Sequence, residues 1–227
     1  MEIRWRYGSV LDKRKLLQEG AGKLGIALGS AELDRLLIYF GELTKWSRRI
    51  NLIARDTPEV QILGNHFLDS LTLLPLLLAE GSREVHLLDV GTGAGFPGLV
   101  LACVLPEARF TLVEPRQKRV TFLRHLLRTL QLNNVEVVAD RIEPHALAWQ
   151  GRFSHITSRA VAEPGLFLPL VRSLVTAETK VILMLAREEA LAGIEEMAFG
   201  PWRIIETKPL ALPLTGVPRL LAVVGIY

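Results

Sequence analysis

The first eighty residues carry apolar side chains at helical spacing. After Ser30, apolar residues recur three or four positions apart, at Leu33, Leu36, Leu37, Phe40 and Leu43. This spacing predicts an amphipathic helix with Ser30 as its N-cap. A second helix is predicted to begin with Thr57 as its N-cap and Pro58 at the first helical position, where proline fits. Asp69 predicts the cap of a third helix that continues to residue 78. We therefore expect an N-terminal helical cap over residues 1–80.

The hydrophobic pattern changes after residue 81, where short apolar runs alternate with helical segments. The predicted strands are residues 85–90, 109–114, 135–139, 153–158 and 180–186, and the predicted helices include residues 98–104 and 116–130. This alternation predicts an α/β fold, with a parallel sheet covered by helices on both faces. In the tail, strand-like residues 202–207 and 220–226 are joined by a loop that contains Pro209 and Pro218. The core, residues 81–227, is therefore predicted to end in an antiparallel hairpin.

The composition agrees with one packed domain, or one domain with a small appendage. The 227 residues are 49% hydrophobic and 22% charged, and no run of 18 apolar residues occurs. Charged residues at Glu2, Arg4 and Arg6 leave no room for the apolar region of a signal peptide. Cys103 is the only cysteine, which excludes an internal disulfide and a multi-cysteine zinc site. We expect a cytoplasmic protein with no metal ion and no membrane partner.

Basic residues form clusters in a chain whose net charge is only +3. Between residues 116 and 128 there is no acid and there are five basic residues, namely Arg116, Lys118, Arg119, Arg124 and Arg128. Further clusters lie within residues 4–15 and 45–49. A single cluster of this kind is often only a solvated helix face. Three of them favour a polyanionic partner such as a nucleic acid.

A glycine-rich loop directly after the first predicted strand carries the strongest chemical signal. Residues 89–98 read D-V-G-T-G-A-G-F-P-G, and Glu114 ends the next predicted strand. Glycines at such a turn let a ligand approach the bare backbone at the start of the following helix. A carboxylate at the end of the second strand can accept hydrogen bonds from both hydroxyls of a ribose. The loop and the acid together predict a site for a ligand that contains a nucleoside.

Two such ligands fit the loop. Gly93, Gly95 and Gly98 satisfy the dinucleotide pattern G-x-G-x-x-G, whereas Gly91, Gly93 and Gly95 satisfy the G-x-G-x-G pattern of S-adenosylmethionine (SAM) methyltransferases. Because the strand runs straight into Gly91, the third position of the dinucleotide pattern falls on Phe96, which fits poorly. The Tyr-x-x-x-Lys pair used in hydride chemistry does not occur. We expect a class I, Rossmann-like SAM methyltransferase, with an NAD-dependent oxidoreductase as the alternative.

Four segments of the chain, in order, resemble the bacterial 16S rRNA guanine-N7 methyltransferases, the glucose-inhibited division protein B family. They are W-S-R-R-I-N-L at 46–52, H-F-L-D-S at 66–70, the glycine loop at 89–98 and S-R-A at 158–160. The resemblance implies transfer of a methyl group from SAM to N7 of a guanine in the 530 loop of small-subunit rRNA. It implies that rRNA, naked or in an assembling small ribosomal subunit, is the partner. The oligomeric state is left open.

The resemblance also implies which residues bind the cofactor. The family's contacts fall on Gly91, Phe96, Ile142, Glu143 and Arg159. Gly93 belongs to the same loop, and the carboxylate of Glu114 has the ribose-binding role that is general to this fold.

Alternative roles are open for several of these residues. Phe96 could only pack at the start of the next helix, and Arg159 could form a surface ion pair with Glu163. Glu143 could be a solvated acid. Asp140 could accept a hydrogen bond from the adenine amino group instead.

The proposed chemistry needs few catalytic groups. Guanine N7 has a free lone pair and no proton, so no general base is required, and alignment of the reactants supplies most of the catalysis. The catalytic residue is left unknown, and Arg159, His66 and Asn51 are the positioning candidates. Packing between helices is an equal alternative for His66, and a turn role suits Asn51. Cys103 is expected in the core rather than as a nucleophile.

The segments that resemble RNA-contacting parts of the family depart from its pattern at Ser47, Ile53, Asn65 and Ala186. The glycine loop does not depart from it. The sequence therefore supports the cofactor site more strongly than the RNA site. A noncatalytic RNA-binding protein with a degenerate nucleotide site is the remaining alternative, and the intact loop together with Glu114 argues against it.

Overall fold

The structure is a computed structural model that describes residues 10–79, 84–143, 147–159, 163–186, 188–191, 194 and 202–227. Its α-helices are α1 (Val10–Lys23), α2 (Ser30–Ser47), α3 (Glu59–Ile62), α4 (Asp69–Leu71), α5 (Leu74–Leu78), α6 (Gly98–Val104), α7 (Gln117–Leu130) and α8 (Pro164–Val171). A π-helical segment, Leu63–Leu68, joins α3 to α4, and these three pieces together form the 59–71 helix. Short 3₁₀ segments occur at Leu147–Trp149, Arg172–Leu174 and Glu188–Leu191.

Seven strands form one sheet. They are β1 (His86–Val90), β2 (Arg109–Val113), β3 (Val135–Val138), β4 (His155–Ser158), β5 (Lys180–Leu185), β6 (Trp202–Ala211) and β7 (Pro218–Ile226). The strand order is β3-β2-β1-β4-β5-β7-β6. Strands β1 to β5 are parallel, and β7 runs antiparallel to both β5 and β6. The strand order reverses between β1 and β4, and ligands of open α/β sheets bind at the carboxyl edge of such a switch point.

The N-terminal helices pack on the same face of the sheet as α6 and α7. Leu36 and Leu43 of α2 and Phe67 of the 59–71 helix share one buried cluster with Leu101 of α6 and Leu126 of α7. The opposite face is covered by α8, in a second cluster with the strands. The predicted α/β class, the antiparallel hairpin and the helical N-terminal region are confirmed. The boundary at residue 80 stays a prediction, because these helices and the sheet share one core.

The predicted caps of the first helices are wrong in detail. Gly29 is the N-cap of α2, and Ser30 is its first helical residue. Pro58 is the N-cap of α3, and the hydroxyl of Thr57 donates to the carbonyl of Ala54 at 2.7 Å instead of capping the helix. Asp69 caps no helix, since the chain is already helical before it, and its carboxylate is buried instead.

The hairpin strands are longer than predicted. β6 extends to Ala211 and β7 begins at Pro218, so that Pro209 and Pro218, two of the three prolines of the expected loop, lie in strands. Proline is compatible with these positions, because β6 is an edge strand and Pro218 is the first residue of β7. Among the described residues, no helix is long and apolar enough to cross a membrane.

Candidate active site

The turn of the glycine loop, residues 91–97, is anchored from beneath by Asp89, the fourth residue of β1. One oxygen of the fully buried Asp89 carboxylate accepts hydrogen bonds from the hydroxyl of Thr92 at 2.6 Å and from the backbone N–H of Gly98 at 2.8 Å. Burial raises the pKa of Asp89 to about 6, although both hydrogen bonds oppose that shift. Asp89 therefore holds both ends of the loop and is sealed from the surface.

The glycines of the loop divide into two kinds. Gly91 and Gly93 have φ of 67° and 63°, the left-handed region that favours glycine. A Cβ on Gly93 would meet no atom nearer than 3.7 Å, so its face is open to a ligand. A Cβ on Gly95 would lie 2.5 Å from the hydroxyl of Tyr39, and one on Gly98 would lie 2.4 Å from Leu112. Gly95 and Gly98 are therefore required for packing, whereas Gly93 leaves room for a ligand.

Tyr39 of α2 fixes the loop from above, and no local pattern in the sequence signals this role. Its buried hydroxyl donates to the carbonyl of Ala94 at 2.6 Å. Its ring stacks on Phe96 with centroids 5.5 Å apart and an interplanar angle of 11°. The helical N-terminal region thus contributes directly to the shape of the glycine loop.

Glu114 follows β2 and is buried beside the loop. Its two carboxylate oxygens accept backbone hydrogen bonds from Gly93 at 3.0 Å and from Arg116 at 2.8 Å. Arg119 of α7 forms an ion pair with it at 3.5 Å. Oε2 accepts from both Gly93 and Arg119, whereas Oε1 accepts only from Arg116 and keeps a second lone pair for a ribose hydroxyl.

A cavity of about 750 Å³, the first cavity, opens above the loop at the carboxyl edge of the strands. Six of the seven predicted cofactor residues line it, namely Gly91, Gly93, Phe96, Glu114, Ile142 and Arg159. The seventh, Glu143, is exposed and lies outside the cavity lining, in agreement with its alternative solvated role. Asp140 does line the cavity, so it stays a candidate for the adenine contact. The open glycine face, the carboxylate of Glu114 and the cavity size all fit SAM.

Arg159, the residue after β4, joins the loop to the 59–71 helix. Its guanidinium donates to the carbonyl of Asn65 at 2.9 Å and to Nδ1 of His66 at 3.0 Å. It lies 3.5 Å from the carboxylate of Asp69 and 4.9 Å from the centroid of the Phe96 ring. Its ion pair is therefore with Asp69 rather than with Glu163. Phe96, for its part, both packs against neighbours and lines the first cavity.

Asp69 also binds Arg219 of β7, a pair that sequence reasoning missed. Nε of Arg219 lies 2.8 Å from one carboxylate oxygen, and Nη2 lies 3.0 Å from the other. The Asp69 side chain is 1% exposed and that of Arg219 is 15% exposed. This bidentate pair fastens the C-terminal hairpin to the 59–71 helix, and both arginines meet at one carboxylate.

The other two positioning candidates differ in their placement. The His66 ring stacks on Phe96 with centroids 5.0 Å apart. Burial and the nearby charge of Arg159 lower the pKa of His66 to about 3, so the imidazole is neutral. Asn51 is exposed and does not line the first cavity, although its neighbour Leu52 does.

The basic cluster on and before α7 is only partly free to meet a polyanion. Arg116 and Arg119 line the first cavity, and Arg119 is already paired with Glu114. Lys118, Arg124 and Arg128 are exposed. Cys103 is fully buried, and burial raises the pKa of its thiol to about 12, which agrees with the predicted core position.

The reversed strand order, the antiparallel last strand, the glycine loop after β1 and the acid after β2 define a class I SAM-dependent methyltransferase fold. A solved structure of a SAM-dependent methyltransferase from Aquifex aeolicus has the same fold, with a TM-score of 0.54 and 18% identity. The match covers 83% of this chain and 98% of that one.

The chain belongs to the GidB family, described as rRNA small subunit methyltransferase G, whose family model matches residues 32–199. A ribosomal RNA small subunit methyltransferase G from Desulfotalea psychrophila is 43% identical over 212 residues, which cover 91% of this chain and 95% of the relative. The enzyme of the same name from Geotalea uraniireducens is 37% identical over 92% of this chain and 95% of its own length. This membership confirms the predicted family and decides between the two ligand patterns in favour of SAM.

Proposed function

We propose that this chain transfers the methyl group of SAM to N7 of a guanine in the 530 loop of 16S rRNA, in the cytoplasm. Membership of a family of small-subunit rRNA methyltransferases supports the reaction class and the RNA. The observation that carries the proposal is the first cavity. Six predicted cofactor residues from separate parts of the sequence line it, and one of them, Arg159, donates a hydrogen bond to His66.

The cofactor contacts follow from the loop geometry. The left-handed backbone at Gly91 and Gly93 leaves no side chain between loop and ligand. The carboxylate of Glu114 accepts from the ribose hydroxyls, and Ile142 supplies an apolar wall for the adenine ring. When bound, SAM supplies an electrophilic methyl carbon on a cationic sulphur, which keeps the electron pair of the broken C–S bond.

The protein residues act by orientation and not by proton transfer. Guanine N7 attacks with its own lone pair, so no proton has to leave the acceptor. The titratable groups near the cavity agree with this chemistry. His66 has too low a pKa to serve as a base near neutral pH. Asp89, whose pKa is about 6, is fully buried under the loop and cannot reach an acceptor.

Arg159, held by Asn65, His66 and Asp69, is a positioning residue where the cofactor and the acceptor base meet.

The proposal is tested by mass mapping of methylated nucleotides in rRNA from cells with and without this gene. We expect one 7-methylguanosine in the 530 loop to disappear, and the purified protein with SAM to restore it on small subunits or rRNA from the deleted strain. An unchanged modification pattern would contradict the proposed target. The disappearance of a methyl group at another position or on another atom would correct it.

A further inference from the structure

A second cavity of about 590 Å³ borders the first, and Arg159 lines both. Its lining includes Ser158 at the end of β4 and residues 183–186 at the end of β5. The 59–71 helix and Arg219 form another part of the wall. This volume lies within the range of roughly 300–1,000 Å³ found for small-molecule sites. Of the predicted cofactor residues only Arg159 lines this cavity, which therefore borders the cofactor site at the point where an acceptor would have to meet the cofactor.

The walls of the second cavity suit a flat heteroaromatic ring. Pro164 and Phe167 of α8 and Leu183 of β5 supply apolar surface. Polar side chains are contributed from different elements, among them His66 on the 59–71 helix and Glu163 just before α8. Apolar walls with a few directed polar groups are the usual construction of a site that orients its ligand.

His66 offers a hydrogen-bond donor. The guanidinium of Arg159 can only donate, so Nδ1 of His66 at 3.0 Å must accept. The neutral ring then carries its hydrogen on Nε2. In the part of the chain that the structure describes, no acceptor is hydrogen-bonded to Nε2. His66 therefore presents a neutral N–H group of fixed tautomer to a ligand.

Glu163 offers an acceptor. It is the N-cap of α8, yet its side chain makes no capping hydrogen bond. The residue is exposed, and its carboxylate makes no hydrogen bond to the other described residues. An ionised carboxylate only accepts, and it can accept from two neighbouring N–H groups at once.

We propose that the second cavity receives the acceptor guanine, with Nε2–H of His66 donating to O6 and the carboxylate of Glu163 accepting from N1–H and the 2-amino group. This inference rests on the proposed function, because it names the acceptor site of that reaction. Guanine presents O6 and N7 as acceptors on one edge and N1–H and the 2-amino group as donors on another. Adenine has an amino group in place of O6 and an acceptor at N1, so both contacts would be repulsive. The two residues thus select guanine.

This arrangement leaves N7 available for the reaction. The donor of His66 is directed to O6, and a neutral imidazole does not protonate the neighbouring N7. Methylation leaves the guanine ring with a positive charge, since N7 gives its lone pair to the new bond. A neutral donor does not repel that charge, and the carboxylate of Glu163 on the far edge favours it.

The test replaces one group on the base and one on the protein. An rRNA fragment is made with the target guanine replaced by inosine, which lacks only the 2-amino group. Single-turnover methylation of the two RNAs is then compared for the wild type, Glu163→Ala and the matched control Glu107→Ala, an exposed acid that lines neither cavity. We expect wild type and the control to prefer guanosine about tenfold, the effect of one hydrogen bond to a charged group. In Glu163→Ala we expect the ratio to fall to about one.

The outcomes separate this inference from the proposed function. If the wild type methylates both RNAs at equal rates, or if Glu163→Ala keeps the full preference, the acceptor site is elsewhere and the inference is overturned. If the wild type methylates N7 of the target purine in neither RNA, the proposed function itself fails.

A second variant tests the other end of the base. His66→Phe keeps a ring to stack on Phe96 and removes the donor, so both RNAs should react at least tenfold more slowly, with the guanosine preference retained. An unchanged rate in His66→Phe would remove His66 from the acceptor site. SAM affinity, measured by calorimetry, should stay within about twofold in Glu163→Ala and Glu107→Ala, since neither side chain lines the first cavity.

Discussion

The guanidinium of Arg159 connects the 59–71 helix to the glycine loop. It hydrogen-bonds to Asn65 and His66, faces Asp69 and covers the ring of Phe96. Such a residue has few alternative rotamers, because a planar guanidinium has fixed donor directions. Its position between the two cavities makes its orientation decisive for both.

Gly91 provides the sharpest test of the cofactor site. Gly91→Val places a β-branched side chain at φ of 67° on the cavity wall. Saturating SAM should raise the melting temperature of the wild type, by the equivalent of about 2.7 kcal/mol at 100 times Kd, and should not raise that of Gly91→Val. NAD should shift neither. The measurement is thermal unfolding with and without each ligand.

Gly25 supplies the matched control for this experiment. Its φ is 75°, and a Cβ there would meet nothing within 4 Å. Gly25→Val therefore carries similar backbone strain far from the glycine loop, and it should keep the full shift with SAM. A SAM shift that survives in Gly91→Val would locate the cofactor elsewhere, and no shift in the wild type would favour the noncatalytic alternative.

The buried imidazole of His66 makes stability depend on pH. Its pKa is lowered from 6.5 in the unfolded chain to about 3 in the folded protein. Between these values the unfolded state binds the proton and the folded state does not, so stability falls as the pH falls below about 6.5. At pH 5 the loss is about 2 kcal/mol from this group, at about 1.4 kcal/mol per unit.

Urea unfolding at pH 7.5 and pH 5 checks this prediction against His66→Gln, which does not titrate. The wild type should lose about 2 kcal/mol more than the variant on acidification. Parallel losses in the two proteins would mean that His66 binds a proton in the folded state.

The 59–71 helix is the element that connects the N-terminal helices to the C-terminal hairpin. Asp69 binds Arg219 of β7, and the amide oxygen of Asn65 accepts from the hydroxyl of Thr215 in the hairpin turn at 2.8 Å. The π-helical segment contains both Asn65 and His66. Such segments are frequent at functional sites, where they change which side chains face the interior.

Removal of Arg219 should leave a buried carboxylate with one weaker partner. We expect Arg219→Met to lose about 3–5 kcal/mol of unfolding free energy, the usual cost of breaking a buried ion pair. The double variant Asp69→Leu with Arg219→Met should lose less than the sum of the single variants, because each single variant already breaks the same ion pair. Lys208→Met on exposed β6 should change stability by less than about 0.5 kcal/mol. Additive losses in urea unfolding would contradict the coupling.

The exposed basic residues of α7 are predicted to contact RNA phosphates. Lys118→Gln with Arg124→Gln should reduce the slope of log affinity against log salt by roughly 0.7–0.9 for each phosphate that the variant no longer binds. Arg109 and Arg152 lie at the opposite, amino edge of the sheet, so their double Gln variant is a control with the same change in charge. Equal slopes for the two double variants in filter-binding titrations would show that α7 is only a solvated face.

At the scale of the whole molecule, we expect the rate of methyl transfer not to depend on the protonation of any group of the protein or of the acceptor base. With saturating RNA and SAM, the single-turnover methyl-transfer rate should be flat within about twofold from roughly pH 6.5 to 9, because N7 has no proton to lose. Arg159→Ala should lower that rate by more than tenfold at every pH. A tenfold rise with an apparent pKa, abolished in His66→Asn, would mean that a proton is removed and that the acceptor is not a guanine N7.

The sequence predicted those parts of the molecule that depend on local pattern. β1, the glycine loop, α6 and Glu114 are close in the chain, and their glycine and apolar positions predicted the wall of the first cavity that the loop and Glu114 form. What the sequence could not predict were partnerships between distant residues. Asp69 resembled a helix cap because a short acid before an apolar run usually is one, and nothing local marked Arg219, 150 residues away, as its partner. Tyr39 similarly belonged to a predicted helix whose packing partner was unknown.

The 150-residue separation between Asp69 and Arg219 has a consequence for the order in which the protein folds during synthesis. A growing chain carries Asp69, His66 and the glycine loop long before β7 has been synthesised. Until Arg219 emerges, Asp69 has only Arg159 for a charge partner, and the sheet lacks the strand that pairs with β5. Contacts of such long sequence separation form late. The ion pair between the 59–71 helix and β7 can therefore form only after β7 has been synthesised. A chain that ends before β7 contains the glycine loop but lacks the ion pair that fastens the hairpin to the 59–71 helix.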